Sequence, residues 1–270
     1  MQKSVVCAAF LAFWGFGTVQ AEPVNVSAIV ADGGCPECRL KLAGLRDLDL
    51  PAADFRETDL VEADLKGANL PNADFRDANL QRTELERAVL IGANFSDARL
   101  RDADFEKADI SGARFDHADL RDADLANATA RVTSFVDADL RGAYLRRVIA
   151  EGAIFSKAQM GRADLERSLL VGASFRDTRM VGADLDRAEA SAASFVNADM
   201  TRARLSSANL VGADLTGANL EGALLRRTDF SGANLAEVEG LTADQIALAC
   251  GNAETKLPDG LTIQPCGAGD

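Results

Sequence analysis

Apolar positions recur along this chain with a period of five. From Leu40 to Leu235 every fifth residue is a core-type side chain, without one insertion or deletion: Leu40, Leu45, Leu50, Phe55, Leu60, and onward to Leu225, Phe230 and Leu235. Only Ala130, Ala150 and Ala190 lack bulk. Two residues before each stands a small side chain, usually alanine, as at Ala53, Ala63, Ala73 and Ala93. A helical face repeats every three to four residues and a strand face every second one, so neither holds this pattern. A coil that turns a corner every five residues does. No single five-residue unit can bury its own apolar residue, so the units must stack.

A second period sets the size of the coil. Phenylalanine stands at 55, 75, 95, 115, 135, 155, 175 and 195, and Met160, Met180 and Met200 share that spacing. Twenty residues are four units, so each coil has four sides and stacks Phe on Phe. At roughly 4.8 Å between coils, about ten coils make a rod about 48 Å long. The Phe ladder reads as packed core and not as a ligand channel, because the small residue before each ring leaves no channel to line.

Individual units read Ala63-Asp64-Leu65, Ala68-Asn69-Leu70, Ala213-Asp214-Leu215 and Ala218-Asn219-Leu220. They resemble the A-(D/N)-L-x-x motif of the pentapeptide-repeat family, over about three quarters of the chain. The resemblance implies an all-β fold, a right-handed quadrilateral β-helix. It also implies a possible activity. Some members are acidic rods that mimic DNA, bind DNA gyrase and confer quinolone tolerance, and this is the alternative function to set against the one below.

The ends differ from the middle. Lys3 followed by the apolar stretch Val5 to Val19 and by Val19-Gln20-Ala21 fits a secretory signal cleaved near Ala21. A retained anchor is the rival, although the stretch is short for a span. The expected organisation is a signal peptide at 1–21, an N-terminal segment and first-coil cap at 22–39, the solenoid at 40–238, and a C-terminal helix and tail at 239–270. Thr242 to Gln245 is a T-x-x-Q capping box with Leu241 and Ile246 as a staple, predicting a short helix from Ala243 to about Cys250, stopped at Gly251. An open solenoid end exposes unpaired backbone and an apolar last coil, and this segment would cover both.

Export also changes how the cysteines read. Cys35, Cys38, Cys250 and Cys266 remain after cleavage, an even number in an oxidising setting. Their positions favour Cys250–Cys266 as one disulfide. Cys35 and Cys38 fall on the two inward slots of the lattice, bonded to each other or buried as thiols; a redox role would need a helix start that is not visible there.

Chemistry is sparse. The one histidine, His117, sits at a corner beside Asp116, and no Ser-His-Asp order, zinc motif or phosphate loop occurs. No catalytic residue, cofactor, metal or small-molecule substrate is expected. A net charge of -13 lacks the basic footprint of a nucleic-acid binder. The aspartates before the core residues, such as Asp64, Asp104 and Asp184, are placed to bond nearby backbone at the corners, and the glycines, such as Gly92, Gly152 and Gly172, to make the corners tight.

Unbroken register lets the outer surface be read from numbers alone. Three sides are charged: one with Arg56, Arg76 and Asp137, one with Arg101, Arg121 and Arg141, and one with Arg147, Arg167 and Arg187. The fourth carries Val89, Ile91, Val132, Ile149, Leu169, Val171 and Val211, with few charges. An apolar strip on a rod predicts a contact surface for a protein or envelope partner, or for a second copy in a homodimer. The competing possibility is local drift, in which Ile149 and Leu169 turn inward beside the small Ala130, Ala150 and Ala190. The expected function is that of an exported, non-enzymatic scaffold that binds through a solenoid side.

Overall fold

The coil expected from the period of five is present throughout. In a computed structural model, which describes residues 24–267, single parallel bridges join every fifth residue to the one twenty residues on, from Gly34↔Asp54 to Asn219↔Glu239. Each bridged residue is followed by its core side chain and then by a tight turn. The turn closes with a hydrogen bond from the next small residue to the core residue's carbonyl, as in Ala63 N to Leu60 O at 2.9 Å. Backbone groups that point along the rod pair with the coils before and after. Leu100 N, for example, donates to Asp119 O at 2.7 Å, and Arg99 N to Ala78 O at 2.9 Å. Only bridges, and not extended strands, fit between turns this close together.

The interior is filled by two inward residues per unit. The core residues and the alanines before them are buried along the whole rod. Phe55 through Phe195 form one stack, with neighbouring centroids 4.7–5.3 Å apart and planes within 15°. That distance is the spacing of adjacent strands, so coil stacking imposes the ring stacking. Phe105, from another column, meets Phe95 and Phe115 edge-on at 5.9 and 5.7 Å. Where threonine replaces the small alanine its hydroxyl is buried, and it is satisfied by the preceding coil. Thr83, Thr133 and Thr178 donate to the carbonyls of Leu60, Ile110 and Phe155, each at 2.8 Å.

Both ends depart from the lattice. A first helix, α1 (Val26–Asp32), was not predicted. Asn25 caps it by accepting from Ala28 N at 3.1 Å, and Gly33 ends it at φ +71°. Its Ile29 is buried against the first coil. Gly34 then has to be glycine, because at φ +136° an added Cβ would lie 2.3 Å from the backbone oxygen of Asp54. At the other end, α2 (Ala243–Ile246) has the capping box read from Thr242 and Gln245, but it is shorter than predicted. It stops before Cys250 because the ladder reclaims the chain: Phe230 N donates to Cys250 O at 2.8 Å. Cys250–Gly251 (β1) pairs in parallel with Gln264–Pro265 (β2). Ile246 is buried, and Gln245 Nε2 donates to the carbonyls of Leu220 and Ala223 at 2.9 and 3.0 Å, satisfying backbone at the end of the rod. Among the described residues no helix is long and apolar enough to cross a membrane. The signal peptide read at 1–21 lies outside the described residues.

Candidate interaction surface

Each turn presents two residues outward, and the second is left-handed. From Glu37 to Gly232 every such position has φ between +48° and +71°. Glycine takes this conformation without strain, and Asn and Asp tolerate it. Val132 is its one β-branched occupant among the described residues, at φ +48°, and it is 67% exposed. A β-branched side chain is costly there and gains nothing from burial. The coil above makes room for it: Gly152 has no side chain, and a Cβ added to it would meet Val132 Cγ1 at 3.4 Å.

The predicted strip divides into a bridged ladder and a corner. Thr129, Ile149 and Leu169 bridge in succession and point outward, with Ile149 half-buried and Leu169 36% exposed. The inward slots beside them hold Ala130, Ala150 and Leu170, all buried, so the side chains have not turned inward. Val89 lies further down the same ladder, half-buried, while Ile91, Val171 and Val211 are exposed at the corner with Val132. That corner carries one cation and one carboxylate, and they bond each other, Arg131 Nε to Glu151 Oε2 at 2.8 Å.

Reading the sides separately missed Ile154. It stands on the ladder over the Phe stack, a side that reads as charged, yet it is 41% exposed between Ser134 and Ser174. Ser194 continues that ladder, so the charges there sit at the turns and the middle is neutral. The signal was available: Ile154 stands two residues after Gly152 and borders the strip across the corner.

Elsewhere the outward polar groups serve the turns. Aspartates on the ladders accept from the amide two residues on, as at Asp104 from Glu106 N and Asp124 from Ala126 N, both 2.8 Å. Arginine at the first turn position folds back on the preceding carboxylate: Arg56 on Asp54, Arg76 on Asp74, Arg121 on Asp119. These hydrogen bonds hold Asp54, Asp74 and Asp119 below the usual carboxylate range. Cys35 is bonded to Cys38 and Cys250 to Cys266. Asp229 lies close to the second pair, but bonded sulfurs offer no thiolate for a metal. Two shallow depressions, of about 410 and 590 Å³, are lined mainly by charged side chains, Arg204 and Asp186 in one and Arg141 and Arg162 in the other. His117 is an exposed turn residue.

A repeat of five-residue units is also what comparison with known families returns. The family model for the pentapeptide repeat region matches residues 78–155, and that for pentapeptide repeats (8 copies) matches 38–77, 168–206 and 208–238. The chain belongs to the pentapeptide-repeat family. Among solved structures it is similar to HetL, a pentapeptide repeat protein involved in heterocyst differentiation regulation from the cyanobacterium Nostoc sp. strain PCC 7120. The identity is 26%, over 87% of this chain and 96% of that one, with a TM-score of 0.51. A pentapeptide repeat protein of the Arabidopsis thaliana thylakoid lumen is 32% identical over 40% of this chain and 67% of its own, with a TM-score of 0.28. QnrB1, a plasmid-mediated fluoroquinolone resistance protein, is 19% identical over 83% and 88%, also with a TM-score of 0.28. No curated protein matches the sequence.

Proposed function

We propose that this pentapeptide-repeat protein is an exported, non-enzymatic scaffold. It is a right-handed, four-sided rod of about ten coils, closed at its C-terminal end by α2 and the disulfide-tied tail. It binds a protein or envelope partner through the strip centred on Ile149 and Leu169. The observation that carries this reading is apolar bulk placed outside a core that is already closed: Leu169, Val171 and Val132 are exposed while the inner slots beside them, Ala130, Ala150 and Leu170, are buried and filled. Nothing in folding requires those side chains, and a contiguous apolar patch on a soluble rod is characteristic of a contact surface. A DNA mimic would present carboxylates; here the corner next to the strip carries Arg147, Arg167 and Arg187.

Export is tested by the non-reduced mass of the protein from fractionated cells. The expected species starts at Glu22, lies outside the cytoplasm and is lighter by its disulfide hydrogens. A full-length, reduced chain in the cytoplasm overturns export. The strip is tested by cross-linking in extracts of the same compartment. Ile149→Asp with Leu169→Asp is expected to abolish a cross-linked product while leaving the melting temperature within a few degrees. An unchanged cross-linking pattern overturns the strip as the binding surface.

A further inference from the structure

The four corners of the coil differ in charge, and the difference is ordered. At many turns the second, left-handed residue is exposed while the first is half-buried, as at Glu86 and Arg87, Val136 and Asp137, or Asp186 and Arg187. In the corner column through Arg167 these residues include Arg87, Lys107, Arg147, Arg187 and Arg227, with Asp47 as the only carboxylate. In the column through Asp137 they include Glu57, Asp77, Asp97, Asp177 and Glu237, with Lys157 as the only cation. The two columns are two turns apart, so they occupy diagonally opposite edges. Among the described residues, Arg87, Arg147 and Arg227 have no ion pair, nor do Asp77, Asp97, Asp137 and Asp177. Arg167 and Arg187 share one carboxylate, Glu166, at 3.5 and 3.9 Å. Arg56 and Arg76, at first turn positions on the acidic edge, are taken up by Asp54 and Asp74.

The remaining two corners are also opposites. The one through Val132 has no net charge, since Arg131 and Glu151 are its only ionic residues and bond each other. The one through Asp122 is heavily charged, with Arg101, Arg121, Arg141 and Arg162. Going round the coil, the order is therefore charged, basic, neutral, acidic. The neutral corner lies between the strip side, centred on Ile149, and the side centred on Ile154.

From this order we infer that the partner of the strip is a second copy of the chain, and that the rods assemble as a closed parallel bundle of four. The inference rests on the strip being a contact surface. Two parallel rods at one level can meet with the Ile149 side of one on the Ile154 side of the other. Sides that face each other run in opposite directions, so the basic edge of the first meets the acidic edge of the second, and the neutral corner meets itself. Level by level, Ile149 then opposes Ile154 and Asp109 opposes Arg114. Asp137 comes beside Arg147, and Asp177 between Arg167 and Arg187. Lys157, between Arg147 and Arg167, and Arg176, next to Asp177, are the like-charge mismatches in that half. The contact uses adjacent sides of a four-cornered coil, which rotates each copy by a quarter turn from the last. A head-to-tail contact with that rotation closes after four copies and does not grow into a filament. The neutral Val132 corner falls on the axis, where glycines at 152, 172 and 212 let four backbones approach, and the charged Asp122 corner faces water.

Sedimentation and native mass spectrometry of the purified chain test this directly. At low ionic strength the expected mass is four times that of the monomer. Raised salt, which screens exposed pairs, weakens the assembly at least tenfold. Arg147→Glu, Arg167→Glu and Arg187→Glu together are expected to give a folded monomer, as is the pair Asp137→Arg with Asp177→Arg. An equimolar mixture of the two variants restores the four-subunit mass, because alternating copies then pair opposite edges around the whole ring. A wild-type monomer at low salt, a dimer, an open-ended ladder of sizes, or no restoration on mixing each overturns the bundle. A wild-type monomer whose strip still forms a cross-linked product in extracts overturns self-assembly alone. Four-subunit protein whose strip variant keeps that mass shows the strip is not the contact and overturns both readings.

Discussion

Two of the four inner columns solve the same packing problem in opposite ways. The column from Phe55 to Phe195 is uniformly large inside, one aromatic per coil, and over its middle the outer ladder is Ser134, Ile154, Ser174 and Ser194. The column from Leu50 to Phe230 drops to Ala130, Ala150 and Ala190 inside, where its outer ladder carries Thr129, Ile149 and Glu189, with Leu169 outside Leu170 between them. The small slots are not left to water: Val148 replaces the usual alanine just before Ala150 and is buried, and the column across the rod carries Met160, Met180 and Met200, whose flexible chains suit irregular gaps. In the first column bulk serves folding. In the second it has moved outside a core that other residues complete, and this is why the second is read as a surface for something else.

The largest test of that contrast is deletion on each side of the backbone. Phe135→Ala removes a buried ring stacked on both neighbours and is expected to cost about 3–5 kcal/mol in denaturant melts. Leu169→Asp, on an outer ladder, is expected to cost less than about 0.5 kcal/mol. Comparable losses would mean that Leu169 is core and that the two columns do not differ in kind.

A filling mutation tests the other half. If Val148 and the methionines already occupy the space beside Ala150, Ala150→Leu overpacks it and destabilises by about 1–3 kcal/mol. Stabilisation instead would reveal an unfilled hole, and the apolar residues outside would lose their argument from a completed core.

How far these distinctions could be read beforehand follows from what fixes each residue. The coil was legible because its geometry constrains every fifth position, and nothing else keeps Leu or Phe in register from Leu40 to Leu235. The capping box at Thr242 was legible for the same local reason, but the helix end was not. Cys250 is held by Phe230 and Cys266, contacts far away in sequence. Helix α1 was missed because it is too short to show a period, and only Asn25 and Gly33 mark it. The strip was visible as composition. Its extension to Ile154 across the corner was not, because a side-by-side reading of columns ignores that the Val132 corner joins two of them. Which charges are neutralised was hidden as well: Arg56 and Arg147 look alike in the sequence, and only one meets a carboxylate.

A smaller effect is expected at the corner between the two columns. Val132→Asn replaces the β-branched left-handed residue with one that tolerates φ near +48°. The monomer should gain about 1 kcal/mol, the scale of the left-handed penalty. The same change removes an apolar group from the neutral corner, so the assembled form should weaken relative to the monomer. A gain in both would show that Val132 is strain without a purpose.

The other two sides repeat the contrast in electrostatic terms, with the smallest expected effect. Asp119 is held below the usual carboxylate range chiefly by hydrogen bonds from Arg121. Asp104 is pushed up, first by burial and then by Glu86 and Asp124. The signs are opposite. A lowered carboxylate adds stability that is present above its unfolded pKa of about 3.9 and is lost as pH falls through the folded value. A raised one makes its contribution below about 3.9 and loses it as pH rises through the folded value, so at neutral pH its charge works against the fold. Asp119→Asn is therefore expected to destabilise at pH 7 and to flatten the acid limb of the stability curve below pH 4. Asp104→Asn is expected to stabilise at pH 7 and to leave that limb in place. Both groups are substantially solvated, so each change should stay near 0.5 kcal/mol or less, about the scale of exposed ion pairs. If both substitutions shifted stability in the same direction at pH 7, the carboxylates on these ladders would be acting through their hydrogen bonds to the turn amides, and the arginine beside Asp119 would be irrelevant to the fold.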